Sequence, residues 1–420
     1  MRVHEQSADR RRARLSLTLI AIGLVTTLLA PAASVSAATS CASLQWRVNV
    51  AAAGAVIQVP NCIYQEQVTI TKKLTLIGPA TVAADSRQYA FVIEASDVTI
   101  EGFTVTGGTA PKHDGVVHAA GVDRFTFRNG KVTGARNGAC IDINGGTGHL
   151  IVDSEFAYCA QQGWHIHDNA SNVLILRNHN HHNNPTHRYG FADEAGGGKI
   201  SRSTVILSKN HIHHNLGPGI WCDPCYWGTT IAGNRVHHNA SMGIFYEAGS
   251  GGRITANMAW ENSWWGESEW AWGYGAGIVV SSSRATEVAG NIVAWNPDGI
   301  VVLSQQRSDS PGNDHNYVHH NTIVMAPQPA AAGDESFALG WLQDWSGGMF
   351  SATKDNRGTA NQYWHSKLEP TLCRFAWGDC LSRMSTFNGT PGEQGGLYLT
   401  NAYKDAFLKA LKVPTMPEGH

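Results

Sequence analysis

The chain has 420 residues, of which 42% are hydrophobic and 15% are charged, and its formal net charge is -2 at pH 7. This length is ample for a sizeable hydrophobic core, and a nearly neutral chain lacks the excess of Lys and Arg by which proteins bind nucleic acid. We therefore expect a folded protein with no nucleic-acid partner.

The first 37 residues have the features of a secretory signal peptide. Residues 10–14 are rich in Arg, residues 15–30 form an apolar run, and the small residues at 35–37 suit a cleavage site. No later apolar run approaches the length of a membrane-spanning helix. We expect an exported, extracellular and monomeric protein that is not held in a membrane once residues 1–37 are removed.

Eight cysteines in an exported chain favour disulfides over free thiols or a zinc site. We expect one staple at each end of the chain, Cys41 with Cys62 and Cys373 with Cys380. The spacing Cys222-Asp-Pro-Cys225 favours a local disulfide or two packed thiols over redox catalysis.

The chain after the signal segment predicts β-strands. Residues 51–60 and 67–78 alternate apolar with polar residues, and short strands rich in Val, Ile and Thr continue to about Val324. No part of this stretch keeps a 3.6-residue period, so we predict an all-β repeat architecture. Beyond residue 327 the rhythm stops, and only residues 401–412 show the apolar stripe of a helix.

A recurring pair of asparagines gives the period of this architecture. Asn210 and Asn234 are 24 residues apart, Asn234 and Asn257 are 23 apart, and each is followed five residues later by a second Asn. Such a period indicates a solenoid, in which a recurring Asn can form an amide ladder along the stack. The longer gaps before and after these coils predict insertions at residues 185–199 and 263–275, and insertions in a solenoid commonly collect on the binding face.

The segments Asn210-His-Ile-His-His-Asn215 and Asn234-Arg-Val-His-His-Asn239 resemble the repeat of the pectate-lyase-like superfamily. The resemblance implies a single-stranded, right-handed parallel β-helix over residues 38–326, with residues 327–420 as an irregular C-terminal cap that includes the short helix. That fold carries lyases, hydrolases, epimerases, esterases and inert spikes, so the activity depends on the site.

One column of side chains along the predicted coil carries ionisable groups. The fourth residues after the Gly that opens each strand are Asp142, His167, Glu194, Asp223, Glu247, Ser281 and Leu303. Strand alternation turns Cys222 inward, so that Asp223 and its neighbour Trp221 face outward. The same register turns Phe245 and Glu247 outward.

Two carboxylates on adjacent coils, about 5 Å apart, can supply a nucleophile and an acid, because their proximity raises the pKa of one of them. This separation fits a retaining glycosidase. We assign Asp223 as the nucleophile and Glu247 as the general acid/base, with Glu194 and His167 positioning them and no cofactor required. These two coils are similar to those of retaining β-helix glycosidases of the β-xylosidase type, in which a Gly-Ile-Trp-x-Asp strand precedes an acid-bearing strand.

Aromatic residues crowd the same coils and favour a polysaccharide or oligosaccharide substrate, since ring faces pack on the apolar faces of sugars. The predicted substrate-binding residues are Trp221, Phe245, Lys199, Asp142 and, within the insertion at 263–275, Trp264, Trp265, Trp270 and Trp272.

Two alternatives stay open. A calcium-dependent lyase or C5-epimerase acting on a uronate polymer would use oxygen ligands from Asp142, Glu194, Asp223 and Glu247. Tyr189-Gly190-Phe191 resembles the start of the catalytic motif of alginate C5-epimerases, although Ala192 and Glu194 stand where that motif has Asp and His. The second alternative is a non-catalytic glycan-binding or surface β-helix. The paired histidines of the repeat favour a structural role over zinc or copper binding.

Overall fold

A computed structural model of the chain describes residues 41–190, 194–263, 273, 275–326, 335–343, 348–366 and 372–417. The predicted signal peptide lies outside these residues. The described chain winds into a parallel β-helix, in which each coil contributes one strand to each of three faces, here called sheets 1, 2 and 3. No described helix is long and apolar enough to cross a lipid bilayer.

Sheet 1 carries the predicted column. Its strands are parallel except for the antiparallel last one, and they are Val68–Ile70, Phe91–Ile93, Gly115–Ala120, Ala139–Asn144, Gln162–His167, Gly196–Ile200, Ile220–Cys222, Ile244–Glu247, Ala276–Ser281, Asp298–Ser304, Glu335–Gln343, Cys373–Trp377 and Asp379–Leu381.

Sheets 2 and 3 follow sheet 1 in each coil. Sheet 2 contains Val56–Gln58, Thr75–Ala83, Thr99–Thr106, Thr126–Arg128, Leu150–Val152, Val173–Leu176, Val205–Ser208, Thr230–Ala232, Arg253–Thr255, Glu287–Ala289, Tyr317–His319 and Arg357–Thr359. The long strands Thr75–Ala83 and Thr99–Thr106 continue into sheet 3. The other strands of sheet 3 are Ile63–Tyr64, Lys131–Thr133, Glu155–Ala157, His179–His181, His211–His213, Arg235–His237, Met258–Trp260, Ile292–Ala294, Thr322–Val324, Gln362–Trp364 and Leu397–Tyr398.

The core lies inside the coil, because every strand turns alternate residues inward. In sheet 1, Ile220 and Cys222 belong to the main core cluster together with Ile244 and Tyr246 of the next coil. The outward residues Trp221 and Phe245 belong to a separate apolar cluster on the outer side of the sheet. The predicted alternation is therefore confirmed for these two strands.

The asparagine ladder is also confirmed. The Nδ2 of Asn210 donates to Oδ1 of Asn234 at 3.0 Å, and the Nδ2 of Asn234 donates to Oδ1 of Asn257 at 2.9 Å. A second ladder five residues along joins Asn215 to Asn239 at 2.9 Å. These amides are fully buried, so each hydrogen bond also satisfies a polar group that water cannot reach.

The β-helix continues past residue 326, where the sequence rhythm stops. Tyr317–His319 pairs in parallel with Arg357–Thr359, and Thr322–Val324 pairs with Gln362–Trp364. Long loops separate these last strands, which hides their period in the sequence. The asparagine ladder ends only at Asn361, whose Nδ2 donates to Oε2 of the buried Glu393 at 2.7 Å. The β-helix thus extends beyond residue 326, the predicted boundary between the β-helix and the C-terminal cap.

Short helices and disulfides complete the two ends. Helix α1, Leu44–Val50, precedes the first strand, while α2, Met384–Phe387, and α3, Asn401–Ala410, follow the last coils. A 3₁₀ turn occupies Ala352–Lys354. Four disulfides join Cys41 to Cys62, Cys140 to Cys159, Cys222 to Cys225 and Cys373 to Cys380. Both predicted staples and the predicted C-terminal helix are present.

Candidate active site

Asp223 and Glu247 lie side by side on the outer face of sheet 1. Cys222 pairs with Tyr246, so the next position along each strand aligns Asp223 with Glu247. Neighbouring strands of a sheet are about 4.8 Å apart, which brings the two carboxyl groups close together, as the asparagine period predicts.

The rest of the predicted column is partly in register. Glu247 pairs with Ser281, and Ser281 pairs with Leu303. His167 also lies in the column of Asp223, because the residues before them, Ile166 and Cys222, both pair with Ile200. Asp142 does not. Asp142 pairs with His165, and His167 pairs instead with Asn144. Counting four residues from Gly138 is two residues off, because Gly138 precedes its strand by one residue, whereas Gly163 lies inside the strand Gln162–His167. Asp142 and His167 therefore occupy neighbouring columns, not one column.

Glu194 also stands outside the column. It precedes the strand Gly196–Ile200, in which Lys199 pairs with His165 on one side and with Trp221 on the other. Part of the predicted insertion at 185–199 is thus a sheet strand, and its glycines displace the strand start from Gly190. The residue that the coil places beside Trp221 is a lysine.

Arg307 joins the two central carboxylates. Its Nη1 lies 2.5 Å from Oε1 of Glu247, and its Nη2 lies 2.9 Å from Oδ1 of Asp223. Asp309 holds the same guanidinium through hydrogen bonds from Nε at 2.9 Å and Nη2 at 2.8 Å. The Arg307 side chain is 23% exposed, so it lies between the two carboxylates and the solvent.

Glu247 is a buried acid with a raised pKa. Its side chain is only 8% exposed, and Nε1 of Trp221 donates a hydrogen bond to its Oε2 at 3.3 Å. Burial and, next, the charge of Asp223 raise the pKa of Glu247 to about 7, against the opposing effect of Arg307. Near neutral pH this carboxyl group can therefore both donate and accept a proton.

Lys199 is buried beside Asp223. Its side chain is 1% exposed, and its Nζ lies 3.3 Å from Oδ2 of Asp223 and 3.2 Å from Oε1 of Glu194. The same ammonium group sits 3.4 Å from the centre of the Trp221 ring, a distance at which a cation is attracted to the ring face. Asp223 thus contacts two cations, Lys199 and Arg307.

Glu194 is tied to two further groups. Its Oε2 lies 3.3 Å from Nδ1 of His113, and the backbone oxygen of His113 is 2.8 Å from Nδ1 of His165. Burial alone would raise the pKa of Glu194, but His113 and Lys199 outweigh it and lower the pKa to about 2. Burial lowers the pKa of His165 to about 3. Glu194 is therefore a fixed anion that positions Lys199.

Asp142 forms a separate buried cluster on the strand Ala139–Asn144, three strands before the one that leads to Asp223. Nδ1 of His118 lies 2.8 Å and 3.0 Å from its two oxygens, and the Gly115 N–H donates to Oδ1 at 2.7 Å. Nε2 of His167 is 3.5 Å from Oδ2. Burial opposes ionisation, yet these partners hold the pKa of Asp142 below its ordinary value, and Asp142 in turn raises the pKa of both histidines against the effect of their burial.

The aromatic residues of the two central strands do not form an open platform. Trp221 and Phe245 stack at 5.6 Å between ring centres, but they are only 7% and 1% exposed. Their faces are therefore unavailable to a sugar, contrary to the prediction, and Trp221 acts through its N–H and its ring face toward Lys199. Trp264, Trp265, Trp270 and Trp272 lie outside the described residues.

An open aromatic cavity instead adjoins the acid pair. It has a volume of about 330 Å³ and is lined by Pro224, Cys225, Tyr226, Trp227, Ala248, Ser250, Asp309 and Pro311. Trp227 is 67% exposed and Tyr226 is 40% exposed. Gly251 leaves room for the indole, since a Cβ there would lie 2.7 Å from the Trp227 ring. Pro224 and Ala248 directly follow Asp223 and Glu247, so the cavity continues from the acid pair.

The predicted calcium ligands are not assembled into one group, because Asp142 faces His118 whereas Asp223 and Glu247 face Arg307. Among the described residues near the site, two other groups bring possible ligand atoms within 4.8 Å of one another, His113 with His165 and Glu194, and Asp114 with His118 and Asp142. Groups that contain imidazole suit transition metals better than calcium.

Sequence reasoning missed Arg307, His118 and Trp227. Arg307 and Trp227 come from loops beyond strand ends, where the repeat gives no position. For His118 a signal was present, because it lies one coil before Asp142 at the paired position of the same sheet.

The comparisons with known proteins agree with this architecture. The family described as a right-handed β-helix region matches residues 114–293, so the chain carries a right-handed β-helix. No curated protein matches the sequence.

Several solved structures share the fold at low sequence identity. The A-module of the mannuronan C-5 epimerase AlgE4 from Azotobacter vinelandii is 13% identical with a TM-score of 0.52, over 85% of this chain and 91% of that one. XylC in complex with xylose is 11% identical with a TM-score of 0.52, over 85% and 82%. DFA-IIIase from Arthrobacter chlorophenolicus A6, without its lid and in complex with GF2, is 12% identical with a TM-score of 0.50, over 81% and 88%.

Proposed function

We propose that this protein is an exported carbohydrate-active enzyme that hydrolyses glycosidic bonds with retention of configuration. The observation that carries the proposal is the contrast between two neighbouring carboxyl groups. Glu247 is buried and its pKa is raised to about 7, whereas Asp223 contacts both Lys199 and Arg307. A buried acid with a raised pKa beside a second carboxyl group that is paired with cations is an arrangement suited to glycoside hydrolysis.

In this mechanism Asp223 attacks the anomeric carbon while Glu247 donates its proton to the leaving oxygen. The resulting glycosyl ester on Asp223 is then hydrolysed by a water molecule whose proton Glu247 accepts. Positions on adjacent strands are about 4.8 Å apart, close to the separation of about 5 to 5.5 Å between the carboxyl groups of retaining enzymes. Lys199 pairs with the nucleophile Asp223, and the Trp221 N–H orients Glu247.

A sugar substrate is supported by the aromatic cavity. Trp227 and Tyr226 offer exposed ring faces in a space of about 330 Å³, and such faces pack on the apolar side of a pyranose ring. The solved structures of similar fold include an epimerase of mannuronan and complexes with xylose and GF2, which supports a saccharide substrate without identifying the sugar or the linkage.

A lyase or C5-epimerase acting on a uronate polymer is the second candidate. The observation that favours it is the pair of cations beside Asp223, since Lys199 and Arg307 could neutralise a substrate carboxylate and so acidify the proton next to it. Both candidate reactions use the acid pair and the aromatic cavity beside it, but their products differ.

A glycan panel with two chemical readouts separates these functions. The proposal predicts new reducing ends without the ultraviolet absorbance of an unsaturated uronate, and a loss of at least about 100-fold in Glu247→Gln. Glu101→Gln is the matched control, because Glu101 pairs with Arg128 on sheet 2, away from the groove. Unsaturated products would support the lyase, and a panel without any product would contradict the enzyme proposal.

A further inference from the structure

A second cluster of titratable side chains lies on sheet 3, away from the acid pair. Three successive coils present histidines at equivalent positions on the outer face. The members of this histidine array are His179, His181, His182, His211, His213, His214, His237 and His238. The repeat alone favours a structural role for them, but their side-chain geometry adds a specific arrangement.

The rings are stacked along the coil axis and bonded across it. His181 stacks on His213 at 5.2 Å, and His213 stacks on His237 at 5.0 Å. Between neighbouring stacks, Nε2 of His179 lies 2.7 Å from Nε2 of His213, and Nε2 of His211 lies 2.8 Å from Nε2 of His237. Ring nitrogens this close require a proton on one and a lone pair on the other.

The hydrogen bond made by the second ring nitrogen of His213 determines which of its nitrogens has a lone pair for a metal ion. Nδ1 of His213 lies 2.7 Å from Nδ1 of His214. If His213 donates its Nδ1 proton there, its Nε2 presents a lone pair toward His179. A metal-binding histidine characteristically has its other ring nitrogen held by such a partner.

The imidazole rings of His179, His211 and His213 are neutral near pH 7. Burial, and then the neighbouring histidines, lower the pKa of His211 to about 4 and that of His213 to about 2. Burial likewise lowers the pKa of His179. Neutral imidazole is the form that binds metals, so no charge has to be removed before an ion enters.

We propose that His179, His211 and His213 bind one divalent late transition-metal ion, of the class that includes Zn²⁺ and Cu²⁺. One ring nitrogen from each lies within 4.8 Å of the other two. Metal–nitrogen bonds of about 2.0 to 2.1 Å bring tetrahedral ligands to about 3.4 Å from one another, so small ring rotations complete the site. The proton shared by His179 and His213 moves to the other nitrogen of His179 when the ion takes its place. All three rings are half-buried, which leaves an entry path.

A later coil provides the natural comparison. His319 and His320 repeat the local pattern, with Nδ1 atoms 2.9 Å apart, but the nearest partner of His319 Nε2 is Glu287 at 3.3 Å. This pair does not belong to any group of three ligands within the described residues. It therefore separates metal binding by the array from binding by any exposed histidine pair.

Calorimetric titration of the full protein with Zn²⁺ tests the proposal. The chain should bind one ion, and His179→Gln and His211→Gln should each weaken that binding at least tenfold. Gln suits this column, because Gln362 occupies it in a later coil. His320→Gln should bind like the parent. Circular dichroism and melting temperature without metal confirm that each variant is folded.

Electron spin resonance with Cu²⁺ as the probe gives a second readout. The spectrum of the parent should show coupling of the copper to imidazole nitrogens, and this coupling should be weaker in His211→Gln. Parent protein that takes up no Zn²⁺, or variants at both 179 and 211 that bind as tightly as the parent, would overturn the site. Loss of binding in His320→Gln would equally contradict it. Because the array and the acid pair lie on different sheets, glycan cleavage should be unchanged in these variants, and either proposal can fail alone.

Discussion

Replacing Arg307 with Gln is expected to raise the pKa of Glu247. The guanidinium lies 2.5 Å from the Glu247 carboxylate and opposes the burial and the Asp223 charge that raise the pKa to about 7. A hydrogen bond to a charged group contributes about 1.5 to 3 kcal/mol, and one pKa unit corresponds to about 1.36 kcal/mol. The pKa of Glu247 should therefore rise by about one to two units in the variant.

Asp223→Asn should have the opposite effect. The charge of Asp223 is the second cause of the raised pKa of Glu247, so removing that charge while keeping the size of the side chain should lower the pKa. Two substitutions that contact the same carboxyl group and shift its pKa in opposite directions distinguish electrostatic coupling from a general disturbance of the site.

Carbon NMR of protein labelled at the glutamate carboxyl group measures this titration without a substrate. The Glu247 signal is the one missing from Glu247→Gln. Arg253→Gln is the matched control, since Arg253 pairs with Glu287 on sheet 2 and should leave the Glu247 titration unchanged. An unchanged or lowered pKa in Arg307→Gln would refute the reasoning.

Three other side chains give measurable expectations. Asn234→Ala removes a buried member of the ladder and should cost about 3 kcal/mol in urea unfolding, whereas Asn49→Ala on exposed α1 should cost little; equal losses would count against the ladder. The raised pKa of Glu247 makes the native state less stable as pH rises from about 4.5 to 7. The free energy of unfolding of Glu247→Gln should therefore gain up to about 3 kcal/mol on that of the parent between pH 4 and pH 8. A difference in melting temperature that does not depend on pH would contradict this. Trp227→Ala should raise KM roughly threefold to tenfold with kcat unchanged, while Trp46→Ala in α1 should not; a change in kcat alone would exclude a binding role.

The parts of the fold that follow strict periodicity were predictable. Coils of 24 and 23 residues between Asn210, Asn234 and Asn257 leave no room for a register error, so the outward positions of Asp223 and Glu247 could be deduced. The same asparagines occupy buried positions whose hydrogen bonds require one spacing, which is why the pattern is visible in the sequence.

The parts that depend on longer loops were not predictable. The coil between Asn178 and Asn210 spans 32 residues, and the position of its sheet 1 strand depends on tertiary packing that counting from Gly190 does not capture. Arg307 reaches the acid pair from a loop after Asp298–Ser304. A side chain that folds back from such a loop leaves no periodic signal.

The stereochemistry of the first product tests the central claim most directly. Proton NMR of the anomeric signals during the first turnovers of a substrate found with the glycan panel shows whether configuration is retained. Retention in the parent, with no product from either Asp223→Asn or Glu247→Gln, is expected from a nucleophile and an acid/base on adjacent strands. Inversion, an unsaturated product or full activity of either variant would contradict it.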